Sequence, residues 1–380
     1  MQNDILVIFT GGTIGTAPPV NGVKRQETQT KPLEKRNYTD YFLINRYLQN
    51  NRQFTKERNI QFHTKQPLET DSSFMTIAKW NTLINELKKI DFSKYAGVII
   101  THGTDTIAFT APLISIILSH LDIPVIFVSS NEHLRSPLAN GHKNFEDAVH
   151  FICTQSSNDP ALRKICGTYV AYSYDLKQTI FYIATEMKQS EAFINRYESR
   201  TGVDFGYVEN GQFYVNNIDN ANKLHKDSSI DIETFLTKHG YEGQSIIDLI
   251  GELENKVALI QPYIGLDYSA IQIPEHIKAI LHTTYHSFTF SLEESENGIY
   301  SAKTLTDNQD HADLYFTSYY YNEYASQEEI AGIKRASFIL GSTLEFAYAK
   351  LLVGYNLFEH DKAKLADFLN LAFNEVIHGM

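Results

Sequence analysis

The chain has 380 residues, 43% hydrophobic and 12% aromatic, enough for two ordinary domains with a large core, which excludes disorder on a whole-chain scale. Its net charge of −12 repels a phosphate backbone, and the pairs Lys24-Arg25 and Lys35-Arg36 are too sparse to make a basic patch, so no nucleic-acid partner is expected. The two cysteines, Cys153 and Cys166, exclude a disulfide scaffold or a cysteine-rich metal site and read as reduced thiols of a cytoplasmic protein.

In chain order, Met1-Gln2-Asn3-Asp4 leads directly into a strand over 4–9, without the basic start and apolar core of a signal peptide. No apolar run reaches the ~18 residues of a membrane span, so no membrane association is expected. Residues 16–37 are polar, with Pro18-Pro19 and Asn21-Gly22, and read as a long loop of the kind that serves as a lid. Ile77, Trp80, Leu83, Ile84 and Leu87 recur at helical spacing within 75–90. A buried strand follows over 96–100, then a helix over 105–120, where Pro112 predicts a kink or a late start. A strand over 123–128, a helix over 144–151 and a hairpin over 167–174 and 179–184 come next.

This alternation predicts βαβ units and an α/β fold: a larger, Rossmann-like N-terminal domain (1–215) with a mostly parallel sheet. Asn, Asp, Lys and Ser become dense over 216–254, which reads as a linker holding one short helix near 230–238. A smaller α/β C-terminal domain (255–380) follows, with strands at 257–260 and 278–281 and final helices over 342–353 and 362–376. Tyr319-Tyr320-Tyr321 reads as a packed strand on β-propensity alone.

Two turns carry the chemistry. Thr10-Gly11-Gly12-Thr13-Ile14-Gly15 closes the first strand, and Thr101-His102-Gly103-Thr104-Asp105-Thr106 closes the second. Ligands of open α/β sheets bind outside the carboxyl ends of strands, so a hydroxyl on such a turn is placed to attack a carbonyl. A threonine hydroxyl is a weak nucleophile that needs a base and an oxyanion site, and glycine turns expose N–H groups that can supply the latter. Neither turn matches a dinucleotide or phosphate-loop pattern. Spacing alone leaves a competing reading open, in which each threonine caps a helix. The histidines form no zinc-binding spacing, and His102 reads as a satisfied histidine within its turn.

The two turns together resemble the paired signatures of the bacterial-type L-asparaginase family, the asparaginase/glutaminase amidohydrolases. Asp71-Ser72-Ser73-Phe74-Met75-Thr76 resembles the family's Asp-Ser-Ser-Asn-Met-Thr segment, and Lys188 with Glu198-Ser199 and the stretch 206–211 resembles its catalytic-lysine region. Gly265-Leu266-Asp267 and Glu345 through Lys350-Leu351 are fainter matches. The resemblance implies Thr13 as nucleophile, with Thr104, Asp105 and Lys188 as a second catalytic group. Main-chain N–H groups near Gly12 and Thr104 would hold the oxyanion, and Gly12 and Gly103 would belong to the substrate-binding set. Ser72, with Ser73 beside it, would bind a substrate α-carboxylate, and Asp105 its α-ammonium. A lysine acts as a base only where burial or nearby cationic charge favours its neutral form. The resemblance further implies an amino-acid amide as the small-molecule substrate, no metal or organic cofactor, and a homodimer or homotetramer whose site a neighbouring protomer completes.

Two departures from the family pattern bear on activity. The family's loop tyrosine is missing from 16–24, with Tyr38 and Tyr41 as candidate replacements, and a Gly-Asn segment is replaced by Thr284-Tyr285-His286-Ser287-Phe288-Thr289. They motivate a rival reading as a weakened paralogue that senses amino-acid amides. The other rivals are a glutaminase-type amidase and the amidase component of a tRNA-dependent amidotransferase. The last usually carries an added N-terminal domain, whereas this chain opens in the first strand.

Overall fold

The computed structural model describes residues 3–15, 38–155, 168–191, 196–200, 202, 204–216, 232–318 and 330–371. The predicted 16–37 loop, Cys166, the tyrosines at 319–321, residues 217–231 of the predicted linker and residues 372–376 of the predicted last helix lie outside the described residues, as do the side chains of Tyr38 and Tyr41. The last described helix ends at Leu369, earlier than expected.

β1 (Asn3–Phe9) shows how the main sheet is built. Its apolar run alternates between two cores: Leu6 and Ile8 enter one, Ile5, Val7 and Phe9 the other. β3 (Gly97–Thr101) and β4 (Val125–Val128) divide in the same way, Val98, Ile100, Val125 and Phe127 against Ile99, Ile126 and Val128. A strand that is apolar on both faces belongs inside a parallel sheet covered by helices on both sides. β2 (Ile60–Lys65) flanks β1 at the edge and is mostly exposed. β5 (Thr168–Ser173) and β6 (Gln178–Ile183) form the expected antiparallel hairpin, and β9 (Gly206–Glu209) with β10 (Gln212–Val215) extends the sheet beyond it. The order is β10-β9-β6-β5-β4-β3-β1-β2, parallel from β5 to β2. A separate two-stranded ribbon pairs β7 (Met187–Lys188) with β8 (Glu198–Ser199).

The helices carry the apolar faces read from the pattern. After the short α1 (Gly12–Gly15), α2 (Tyr38–Asn50) and α3 (Arg52–Glu57) precede β2. α4 (Ile77–Leu87) starts where the Thr76 side chain accepts from the Lys79 N–H, and it buries Trp80, Leu83, Ile84 and Leu87. α5 (Ile107–Ile117) starts two residues later than expected and keeps Pro112 inside it, almost wholly buried. The Trp80 indole donates to the Thr110 hydroxyl at 3.0 Å, which ties α4 to α5. α6 (Gly141–His150) lies on the opposite face.

The described part of the 216–254 stretch is strapped down. α7 (Ile232–Lys238) and α8 (Ile246–Leu249) bury Ile232, Phe235, Leu236, Ile246 and Ile247 in the main core. Asn81 exchanges two hydrogen bonds with the main chain of Leu253, at 2.9 and 2.8 Å.

The smaller sheet is fully parallel, in the order β11 (Val257–Ile260), β12 (Ala279–Thr283), β13 (Asp313–Ser318), β14 (Ala336–Leu340). The short α9 (Thr304–Asp307) precedes β13. The long α10 (Leu344–Phe358) buries apolar residues in the same core cluster as α5, with α11 (Lys362–Leu369) packed behind it. One helix thus joins the small sheet to the large one.

Candidate active site

β1 and β3 are neighbours with Phe9 opposite Thr101, so their carboxyl-terminal turns emerge side by side. The strand order also reverses there, β2 lying on one side of β1 and β3 on the other. Such a reversal opens a crevice at the sheet's carboxyl edge. The Thr10 hydroxyl donates to the Thr101 carbonyl at 2.6 Å and stitches the strand ends together.

The turns touch through their glycines. Gly12 has φ +73°, and a Cβ there would sit 2.5 Å from the Cα and N of Gly103. A Cβ on Gly103 would in turn collide with the Ser72 hydroxyl. Only glycine permits this backbone-to-backbone approach. Thr13, next along the chain, is half-buried at the start of α1.

A third segment closes the group. The Gly12 N–H donates to the Thr70 carbonyl at 2.8 Å, and the Thr70 N–H to the Thr10 carbonyl at 3.1 Å. Asp71 then caps a short 3-10 turn, Ser72–Phe74. Ser72 is only 2% exposed; its hydroxyl accepts from the Asp105 N–H and donates to Asp105 Oδ2, both at 3.2 Å. The Thr106 hydroxyl donates to the Ser72 carbonyl at 2.9 Å. Ser73 turns the other way, its N–H and hydroxyl both donating to Asp71 Oδ1 at 3.2 Å.

Thr104 is half-buried and Asp105 exposed, so both face accessible space above the buried Ser72. The Thr104 carbonyl accepts from the Tyr197 hydroxyl at 3.0 Å and from the Gln189 side-chain amide at 3.4 Å. These donors flank the β7–β8 ribbon that carries Lys188. The ribbon is fixed by a buried ion pair, Arg200 to Glu186, at 3.0 and 3.2 Å. The Lys188 ammonium pairs with Glu198 across the ribbon at 3.2 Å. The structure therefore joins Gly12, Ser72, Gly103, Thr104 and Asp105 in one contiguous set, with Thr13 adjoining Gly12. Lys188 borders this set through its neighbour Gln189.

Burial sets the electrostatics around the turns. It pushes His102 down to about 4, partly opposed by the Gly103 carbonyl, to which Nδ1 donates at 2.8 Å; Nε2 is buried without a hydrogen-bond partner. His102 is therefore neutral near pH 7 and supports the turn. Burial also raises the Tyr197 hydroxyl well above its ordinary value, helped by Tyr172, Asp105 and Tyr174, which keeps it a donor. Among the described residues no group of three or more His, Cys, Asp or Glu is arranged to hold a metal, and no helix is long and apolar enough to cross a membrane.

Tyr197 and Gln189 escaped sequence reasoning, although each adjoins a residue quoted from the lysine region. Their roles rest on bonds to a carbonyl 93 and 85 positions away, which no local pattern signals.

The fold and the paired turns define an α/β protein whose two threonine-bearing turns meet at the switch point of its main sheet. The family model for asparaginase, N-terminal, matches residues 4–194, and the chain belongs to that family. An L-asparaginase of Thermococcus kodakarensis is 24% identical over 212 residues, 56% of this chain and 55% of its own length. L-asparaginase 1 of Escherichia coli K12 is 29% identical over 167 residues, 42% and 44% of the two chains. A component of the glutamyl-tRNA(Gln) amidotransferase of Pyrococcus furiosus is 27% identical over 194 residues, 50% and 38% of the two. The chain thus spans about half the length of the curated L-asparaginases it matches. The solved thermostable L-asparaginase of Thermococcus kodakarensis superposes with a TM-score of 0.65 at 17% identity, covering 99% of this chain and 100% of its own, which establishes the fold.

Proposed function

We propose that the chain is an amidohydrolase that hydrolyses the side-chain amide of L-asparagine, through an acyl-enzyme on Thr13, to L-aspartate and ammonia. The contact of Gly12 with Gly103 carries this reading, because it places the turn of Thr13 against that of Thr104 and Asp105 with Ser72 beneath them. The substrate α-ammonium pairs with the exposed Asp105, and its α-carboxylate takes a hydrogen bond from the Ser72 hydroxyl, which gives up Asp105 Oδ2 to make it. Thr13 Oγ attacks the amide carbon, and the Thr104 N–H stabilises the oxyanion, the Gly12 N–H being committed to the Thr70 carbonyl. Collapse expels the amide nitrogen as ammonia once it has gained a proton, leaving an ester. Water then attacks the ester carbon, and Thr13 leaves with its proton restored. The net change is one water consumed and one amide converted to an acid. Lys188 passes its proton to the adjoining Glu198 and then draws one through Thr104. No step calls for a metal or an organic cofactor.

We further propose assembly as a homodimer or homotetramer in the cytoplasm. Exposed apolar side chains on and after the edge strand of the small sheet support self-association: Leu259 (42% exposed), Tyr263 (61%) and Ile264 (98%).

One observation favours a weakened, ligand-sensing paralogue as the second reading. In the 284–289 turn, Phe288 sits at φ +61°, a conformation that suits glycine or asparagine and is costly for a bulky residue. Ammonia release from L-asparagine, measured beside Thr13→Ala, separates the two readings. The amidohydrolase releases ammonia, with a loss on the order of a thousandfold in the variant. Equal rates in both proteins, with aspartate still bound in calorimetry, would decide for the sensor.

A further inference from the structure

The Thr104 turn is held by groups outside its own motif, and the chain of contacts leads into the C-terminal domain. Tyr197 and Gln189 both donate to the Thr104 carbonyl. Gln189 is itself fixed, because its main-chain N–H donates to Glu345 Oε1 at 2.7 Å. Glu345 lies in the first turn of α10, where the helix dipole favours an acid. It is 4% exposed, and its second oxygen, Oε2, is buried with no hydrogen-bond partner. Burying a carboxyl group costs free energy, and Gln189 and the positive charge of Lys188 offset part of that cost. β7 is only two residues long, so its ladder alone holds Lys188 weakly.

We infer that Glu345 is a positioning residue of the candidate site. Its carboxyl group fixes the Lys188–Gln189 segment, and through the Gln189 amide it fixes the Thr104 main chain, so that α10 of the same chain completes the site from behind. The kinetic consequence rests on the amidohydrolase reading, whereas the structural consequence does not.

The test compares Glu345→Ala, Glu345→Gln and Gln189→Ala by steady-state kinetics on L-asparagine and by hydrogen exchange of peptides covering 184–191 and 101–107. Glu345→Ala is expected to lose about tenfold or more in kcat, with KM changed much less, and to exchange faster in both peptides. Glu345→Gln retains an acceptor for the Gln189 N–H and is expected to restore most of the rate and protection. Gln189→Ala keeps the Glu345 contact but loses the Thr104 bond, so it is expected to lose kcat and protection at 101–107 while 184–191 stays protected. It also serves if Glu345→Ala does not fold. Wild-type exchange at 184–191 in Glu345→Ala, or wild-type kcat in Gln189→Ala, overturns the inference. If the unaltered protein turns over no amide, the exchange data alone decide the role of Glu345 and the amidohydrolase reading falls separately.

Discussion

Gly12 is the residue on which the site's geometry turns. Its φ of +73° and the 2.5 Å separation between a virtual Cβ and the Gly103 backbone leave no room for a side chain. Gly12→Ala adds a left-handed penalty of about 1 kcal/mol and a backbone clash on top of it. The expected outcome is a destabilisation of about 2 kcal/mol or more in urea unfolding, with ammonia release falling further than stability alone explains. A variant with unaltered unfolding and rate would show that the turns need not touch. That the segments of Thr13, Ser72, Thr104 and Asp105 should be singled out was legible because each is a compact motif, and the structure brings those segments together; their catalytic roles belong to the proposal. Glu345 was faintly legible as part of a weak family match, but its contact with Gln189 spans 156 positions and depends on how two domains pack.

At the scale of elements, strands that were apolar throughout were legible, since burial on both faces leaves no alternation to misread. β2 went unread for the opposite reason: at the sheet edge, Ile60 is its only buried residue, and no apolar run marks it. The β9–β10 hairpin carries a local turn signal besides its resemblance to the family's lysine region. Asn210 and Gly211 both take positive φ, 52° and 76°, as a tight hairpin turn requires. The 216–254 stretch looked like a tether because its polar residues outnumber its apolar ones, yet the apolar few in 232–254 fall where they can reach the core. The β7–β8 ribbon depends on the Arg200–Glu186 pair, whose side chains are 2% and 4% exposed. Arg200→Ala strips two charge-assisted hydrogen bonds from a buried carboxylate and is expected to cost about 3–5 kcal/mol. Replacing both partners, as Arg200→Met with Glu186→Leu, is expected to regain most of that loss in chemical unfolding. Equal stability of Arg200→Ala and the unaltered chain would mean that the pair does not hold the ribbon.

For the whole molecule, two buried histidines tie stability to pH. Burial depresses both His102 and His282 from 6.5 to about 4, and each Nδ1 donates to the carbonyl of the next residue. Above about 6.5 both are neutral whether the chain is folded or not, and they exert no pH dependence. As pH falls from there toward 4, the unfolded chain takes up protons that the folded chain refuses, so stability drops, by roughly 3 kcal/mol for each histidine. Unfolding free energies at pH 7 and 4.5 are expected to show this fall, and His282→Gln to flatten it, since glutamine can still accept from the Tyr268 hydroxyl. An unchanged slope in that variant would remove His282 from the account.

The central claim is that Thr13 attacks a side-chain amide within a site it shares with Thr104 and Asp105. Acid-quenched, peptide-mapped mass spectrometry of the protein mixed with L-asparagine tests it most directly. The expected result is an aspartyl adduct on the peptide containing Thr13 that appears and decays with turnover and is absent from Thr13→Ala. An adduct on Thr104 instead, or turnover that persists in Thr13→Ala with no adduct on any threonine, would contradict the account.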